Sequence, residues 1–545
     1  MTCNKSRYTF SRLTGQEFRL LIVEPAADHN DALKCRMTTS SHFSGSYDAI
    51  SWSWGDPRER EERASLLIDG SLFDIPGRLH TALLALRSKA DERAFWVDAV
   101  CIDMTNLEEH NHQVLLMRKI FEGAAGVSVW LGEGDETSGE AMAFIRRVCK
   151  ARDLDDVIRG DRYKQSWASL MALMLRPWFL RCWVFQEIAV ARRATVVCGA
   201  DSVDWADFEA CVSLLEKRGR IYPDTLQVGA LRTIQLVETV RDSFDRRGGG
   251  GIVAPRLTLQ ELVIRLSFLR ATDFHDQIYS LLGVAKDAEN YPQPDYSLSV
   301  LETYEEFIRH SIKTTGSLDI IFRPLAPESL REFLPAWIRT TGDGVYSVYD
   351  GSTGISVARL AGDLFVGNPG SPPTYAASGK REASNFDKAA EDGLAALNCR
   401  GFFVDTIKTT ARPAHSGKIP REWFDLGIGS STKMPTDFWK TLVADRDNNG
   451  KRPAPSVEAF LEQSLLRSTS GSGGVSDLNH LIENQSSSTG TRILSRVRDV
   501  VFGRSLVKTK AHGFLGLAPA VASEGDSIPL NLLTLIRENL LTCLS

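Results

Sequence analysis

The segment that most constrains the fold is 95–132, which reads as a strand, a helix and a second strand. Phe95–Asp103 is apolar at most positions apart from Asp98, as is typical of a strand in the interior of a parallel sheet. Val127–Leu131 is a second apolar run, preceded by a glycine that ends the helix. Two strands joined by a helix through short connections predict a crossover unit with parallel strands.

The helix of this segment carries polar residues on its apolar face. Thr105 and Glu108 have the spacing of a capping box, which predicts the helix start. At about 100° per residue, His110 and Gln113 fall within the stripe that faces the core. Burying such groups unpaired costs roughly 1–3 kcal/mol each. Together with Asp98, they form either an internal hydrogen-bond network or the floor of a site.

Strands that alternate with helices extend this pattern over residues 15–215, which predicts an α/β domain with an open, mainly parallel sheet flanked by helices. A chain of 545 residues is too long for one core. The expected regions are an α/β domain at 1–215, a mainly helical region at 216–330, and a mixed α+β region at 331–545 with a low-complexity loop at 468–491.

Composition excludes several classes of protein. The net charge is −5, so there is no basic excess to attract nucleic acid. Nine cysteines without a CxxC pair, and no secretory signal at the amino terminus, predict a reduced cytoplasmic location. No apolar run reaches about 18 residues, so we expect no transmembrane segment. Sequence signatures of serine hydrolases, P-loop nucleotidases and zincins are absent.

Two carboxylates are candidates for chemistry. Asp103 ends a predicted central strand, where open α/β sheets hold ligands, or it only begins a turn. Glu187 serves as a general base if it faces a cleft, or it forms a salt bridge in a packing helix. His110 and His112 are two apart on a helix and point in different directions, so we expect no metal site.

A loop at Gly132–Thr137 follows the second strand and has the pattern G-x-G-x-x-T, close to a dinucleotide-binding motif. The third glycine is missing, and the acidic residues of the loop would repel a pyrophosphate. We therefore interpret the loop as an acidic helix start and expect no bound cofactor.

Three blocks together resemble the heterokaryon incompatibility (HET) domain of filamentous fungi. They are YDAISWSWGDP, the whole of 95–132, and RPWFLRCWVFQEI, and they fall in the family's order over about 47–190. The residues that carry the resemblance are Trp52, Trp54, Gly55, Asp98, Cys101, Gln113, Trp130, Gly132, Arg181, Trp183, Gln186 and Glu187. Shorter segments such as FHDQIYSLLGVA and DYSLSV resemble stretches that often follow the domain.

The resemblance implies a signalling role in fungal non-self recognition and programmed cell death, with protein partners and self-association. It also implies a flavodoxin-like sheet related to Toll/interleukin-receptor (TIR) domains. Some TIR domains cleave NAD with a glutamate, so an NAD-cleaving enzyme using Glu187 or Asp103 is the alternative, with NAD as substrate. A decayed, non-functional family member is a third reading.

Two positions depart from the family pattern. Asp103 replaces an asparagine and His110 replaces an arginine, so a charged site of the family is altered here. After Asp526 the leucine-rich tail departs as well, and it reads either as a shifted reading frame or as a short docking helix.

Overall fold

The computed structural model describes residues 7–28, 31–43, 45–55, 62–221, 228–246, 251–335, 337–340, 347–350, 355–358, 387–391, 394–398, 401–415, 417–431, 433–447, 451–469, 475–520 and 522–531. The chain divides into two compact units, Met1–Thr303 and Tyr304–Ser545. None of the described helices is both long and apolar enough to cross a membrane.

The first unit is built from strands that alternate with helices. Its strands are β1 (Phe18–Val23), β2 (Lys34–Ser40), β3 (Asp48–Ser51), β4 (Arg63–Ile68), β5 (Ser71–Pro76), β6 (Arg93–Trp96), β7 (Val127–Trp130), β8 (Ala194–Cys198), β9 (Asp201–Asp204), β10 (Phe244–Arg246) and β11 (Ile252–Pro255). Its helices are α1 (Gly77–Leu86), α2 (Asp98–Cys101), α3 (Leu107–Gly123), α4 (Glu136–Val148), α5 (Leu154–Arg159), α6 (Lys164–Met174), α7 (Trp183–Ala189), α8 (Trp205–Ile221), α9 (Val228–Asp242), α10 (Leu259–Arg265) and α11 (Asp276–Leu282). The unit boundary falls within α12 (Val300–Thr315).

Strands β1 to β9 form one sheet in the order β5-β4-β2-β1-β6-β3-β7-β8-β9. Four of its pairings are parallel, and four are antiparallel. The α/β class is confirmed, but the sheet is mixed and not mainly parallel. The reason is that β1, β5 and β9 each pair antiparallel with the neighbouring strand. For β5 and β9 this pairing is a tight hairpin at an end of the sheet.

The central strands β6, β3, β7 and β8 are parallel to one another. Their spatial order is second, first, third and fourth in chain order. All four strands therefore end at the same edge of the sheet. That edge is where the three sequence blocks meet, because each block places residues just beyond a strand or on α7.

Within 95–132 the structure corrects two predictions. The first strand ends at Trp96, and Asp98 begins α2, so Phe95–Asp103 is not one strand. The run is largely apolar because the short helix is itself buried, and composition alone does not separate a buried strand from a buried helix. The cap of α3 is Asn106, whose side chain accepts from the Glu109 amide, and not Thr105.

The second unit contains an antiparallel sheet and several helices. Its strands are β12 (Ser347–Asp350), β13 (Ile355–Ala358), β14 (Asp387–Glu391), β15 (Leu394–Asn398), β16 (Gly401–Thr410), β17 (Lys418–Pro420), β18 (Val475–Asp477), β19 (Arg504–Thr509), β20 (Leu515–Pro519) and β21 (Ser527–Asn531). Its helices are α13 (Arg421–Ile428), α14 (Thr436–Val443), α15 (Ser456–Thr469), α16 (Leu478–Glu483) and α17 (Ser488–Val501). The four-stranded sheet has the order β20-β19-β16-β21.

The segment 468–491, expected to be a low-complexity loop, contains β18, α16 and the start of α17. Its small polar residues act as helix caps: Asp477 accepts from two amides of α16, and Ser487 accepts from the Gly490 amide. Residues that cap helices have the same composition as a linker, which explains the error. The leucine-rich tail after Asp526, expected as a docking helix, begins as the strand β21 (Ser527–Asn531), and the rest of it lies outside the described residues.

Candidate functional site

An arginine and an aspartate from different blocks form the centre of the site. Arg181, in the turn before α7, donates from Nη2 to Asp98 Oδ2 at 2.6 Å. The other oxygen of Asp98 accepts from Trp52 Nε1 at 2.8 Å. Arg181 Nη1 also donates to the backbone carbonyl of Trp52 at 2.7 Å. Since all three side chains are largely buried, this charged pair is strong and geometrically specific.

Glu187 belongs to the same network but is poorly paired. Its Oε1 is 3.4 Å from Arg181 Nη1, which is long for a charge-assisted bond. Its Oε2 accepts from the Ser51 hydroxyl. Trp178 Nε1 donates to the same hydroxyl at 2.8 Å, so the hydroxyl hydrogen is directed to Glu187.

Arg181 stabilises the charges of the two acids of the network, Asp98 and Glu187, to different extents. Burial raises the pKa of Glu187 to about 7, although the charge of Arg181 opposes this shift. Burial alone would lower the pKa of Arg181, but the charges of Asp98 and Glu187 raise it above its ordinary value. Arg181 thus remains a cation whose main counter-ion is Asp98, and Glu187 titrates near neutral pH.

A second buried acid lies on α11, outside the three blocks. Asp276 accepts from Trp183 Nε1 at 2.9 Å and from the Tyr296 hydroxyl at 2.6 Å. Burial raises the pKa of Asp276 to about 6, against the effect of both hydrogen bonds. Trp183 belongs to the third block, so this contact joins the block to residues about 90 positions later in the chain.

Backbone contacts hold the same two parts together. The Cys182 amide donates to the Arg270 carbonyl at 2.9 Å, and the Arg270 amide donates to the Leu180 carbonyl. Gly283 lies so close to Gln186 that an added Cβ would come within 2.4 Å of Gln186 Oε1. The segment 270–296 is therefore an integral part of the structure around the third block.

The polar residues on the core face of α3 have separate roles. Gln113 is fully buried and donates from Nε2 to the Glu17 carbonyl at 2.8 Å. Glu109, one turn earlier, forms an ion pair with the buried Arg19 at 2.6 Å. The His110 ring lies 4.9 Å from the Tyr296 ring, and burial lowers the pKa of its imidazole. These contacts attach α3 to β1 and to the later segment.

Asp103 lies outside this network. Its Oδ1 accepts hydrogen bonds from the Thr105 amide at 3.0 Å and from the Thr105 hydroxyl at 2.6 Å. These two bonds form a turn that precedes α3. The structure therefore does not bring the two candidate catalytic carboxylates together.

The remaining motif residues shape the surroundings. Trp54 is 40% exposed and its ring lies 4.9 Å from that of Trp52. Gly55 and Gly132 have φ of +87° and +104°, which glycine adopts at little cost. Cys101 is buried, and burial raises the pKa of its thiol to about 12. Trp130 is buried at the end of β7.

The arrangement as a whole is a closed network of hydrogen bonds that joins the ends of β3 and β6 to α7 and the turn before it. Glu187 is 1% exposed, so a substrate does not contact it in this conformation. No group of His, Cys, Asp or Glu among the described residues is placed to hold a metal ion. Sequence reasoning missed Ser51, Trp178, Asp276 and Tyr296 as network members, although the segments holding the last two carried a signal as stretches that follow the domain.

Comparison with known proteins agrees with this geometry. Residues 47–187 match the family model described as heterokaryon incompatibility protein (HET). The chain is 28% identical over 345 residues to heterokaryon incompatibility protein 6, OR allele, of Neurospora crassa, a match covering 52% of this chain and 49% of that protein. The matched part thus spans about half the length of that curated relative. No solved structure matches the chain. Residues 47–187, in which the motif residues are joined in one network, are thus the part of this chain that is similar to the HET family.

Proposed function

We propose that this chain acts in fungal heterokaryon incompatibility, as a cytoplasmic signalling module for non-self recognition that leads to cell death. The observation that carries the proposal is the single network formed by Trp52, Asp98, Arg181 and Glu187 from three separate blocks of the HET domain. A network of this kind rigidifies a domain and fixes its surface, which is what an interaction module requires. Its partners are proteins, and the region 331–545 receives or relays their signal as an α+β domain.

The order of the central strands supports a TIR-like arrangement for the HET domain. If β3, β6, β7 and β8 are numbered 1 to 4 along the chain, their order across the sheet is 2-1-3-4. The flavodoxin-like strand order begins in the same way. The network lies at the carboxyl ends of these strands, the edge at which such folds place their functional residues.

The NAD-cleaving alternative is not favoured. Glu187, the carboxylate expected to act on the substrate, is buried and already accepts a hydrogen bond from Ser51. Incubating the purified chain with NAD and measuring nicotinamide release tests it, with Glu187→Gln alongside. Release by the wild type that is lost in this variant would restore the enzymatic account.

Induced expression in a fungal host tests the signalling role. We expect growth arrest with the wild type and with Arg36→Lys, whose arginine forms a half-exposed ion pair with Glu92. We expect normal growth with Arg181→Lys, because a lysine cannot make the bonds that the guanidinium makes to both Asp98 and the Trp52 carbonyl. Equal protein levels on a blot are the control. No arrest with any form contradicts the proposal and favours a decayed family member.

A further inference from the structure

The outer face of α3 carries an arrangement that the buried network does not use. Glu108, His112, Leu115 and Lys119 are all exposed, and their spacing of four, three and four residues puts them on one stripe of the helix. Leu115 is 44% exposed, and Leu107 beside the stripe is 54% exposed. Leu115 in the middle of this otherwise polar helix face, and Leu107 at the amino end of the helix, both leave apolar surface in water.

The charges of this stripe differ at its two ends. Glu108 lies at the amino end and Lys119 near the carboxyl end, and neither forms an ion pair with another residue in the part of the chain that the structure describes. Glu109 is excluded from the stripe because it pairs with Arg19. The helix dipole accounts for the acid in the first turn but not for Lys119, which lies before the last turn. It does not account for the exposed leucine between them.

We propose that this stripe is a self-association surface whose occupant is the same stripe of a second copy of this chain. In an antiparallel two-fold arrangement, Glu108 of each copy lies opposite Lys119 of the other, and Leu115 of each copy lies opposite His112 of the other, in the two layers next to the axis. A parallel arrangement would place like charges together. The stripe is therefore complementary to itself only in the isologous, two-fold geometry.

The surface predicts a weak and reversible association. Glu108 and Lys119 are eleven residues apart, which is roughly 16 Å along a helix. One helix face of that length buries less than the roughly 1,200 Å² typical of stable complexes. Assembly would then depend on local concentration, as suits a signal that is switched on. This inference rests on the proposed function, because it supplies the self-association which that function uses.

Charge reversal tests the surface with the full chain. Sedimentation velocity over a concentration series should show self-association of the wild type, and loss of it in Glu108→Lys and in Lys119→Glu. An equal mixture of these two variants should associate, because each unlike pair is then attractive. The double variant, with both residues exchanged, should also associate. Glu136→Lys, in the first turn of another helix, is the matched control and should leave association unchanged.

A second pair of variants tests the apolar contact. Leu115→Glu should abolish association, whereas Leu154→Glu should not, although both leucines are 44% exposed. Circular dichroism confirms that each variant is folded. A wild type that stays monomeric, or association that survives both charge reversals, overturns the proposal. Association without growth arrest in the host would contradict the proposed function and leave the surface intact. Growth arrest caused by a monomeric variant would show that signalling does not need this surface, and the proposed function would still stand.

Discussion

The replacement Glu187→Gln should change how the stability of the first unit depends on pH. Glutamine keeps the acceptor that Ser51 needs and mimics the protonated acid. In the wild type, the folded pKa of Glu187 is about 7, against 4.5 for the ordinary group. Folded Glu187 therefore binds its proton more tightly than the unfolded chain does. Its contribution favours folding at acid pH, and this advantage is lost as the pH rises from about 4.5 to about 7.

The size of the effect follows from the shift. Two and a half pKa units correspond to roughly 3 kcal/mol, and about 2–3 kcal/mol of this falls between pH 5 and pH 8. The side chain is 1% exposed, so solvent screening reduces the value little. The difference in unfolding free energy between Glu187→Gln and wild type should therefore move in favour of the variant by this amount as the pH rises.

Hydrogen exchange of peptides covering 176–190, in the full chain at pH 5 to 8 and corrected for intrinsic exchange rates, measures this free energy. Glu136→Gln, an exposed helix-start residue, is the control and should show no such trend. A pH dependence that is the same in Glu187→Gln and wild type would refute the assignment of Glu187 as the buried, poorly paired acid.

Further predictions concern the contacts around the site. Trp183→Phe removes a hydrogen-bond donor to the buried Asp276 and should lower the free energy of unfolding by about 1–3 kcal/mol in thermal unfolding. Trp54→Phe, at an exposed ring, should change it little. Equal costs of the two substitutions would contradict the assigned bond. Gly199→Ala should destabilise the unit by roughly 1–3 kcal/mol more than Gly15→Ala in urea unfolding. The φ values are alike, +56° and +58°, but only at Gly199 would the Cβ meet backbone, 2.6 Å from the Gly134 nitrogen, and equal effects would refute the close approach. A fragment ending at residue 221 lacks Arg270 and Asp276, so it should be digested faster by protease than one ending at 303; similar resistance would show that the later segment is dispensable.

Sequence patterns predicted the elements whose burial is uniform. The largely apolar run at Phe18–Val23, for example, is a strand with every residue buried. The run at 95–103 failed because a buried strand and a buried helical turn present the same composition, and Asp98 fixes the turn through a contact to Trp52 that is remote in sequence. Small polar residues at 475–491 read as a linker, although two of them cap helices.

Sequence patterns singled out three charged members of the network but not its other members or its geometry. Arg181 and Glu187 stood out as charged residues in an aromatic block, and Asp98 as the one charge in an apolar run. That Arg181 pairs more closely with Asp98 than with Glu187 depends on the sheet, which brings the strand ends together. The effect of burial on Glu187 and Asp276 likewise depends on tertiary packing that no local spacing encodes.

Cell death after fusion measures the central claim most directly. A fungal strain expressing this chain is fused with a strain that lacks it, and dead fusion cells are counted with a vital dye. We expect a high fraction of dead cells with the wild type and with Arg36→Lys, and a fraction near that of the untransformed pairing with Arg181→Lys at equal protein level. Equal survival of all these fusions would contradict a role in heterokaryon incompatibility. Equal killing by Arg181→Lys and wild type would contradict the claim that the Asp98–Arg181 network supports that role.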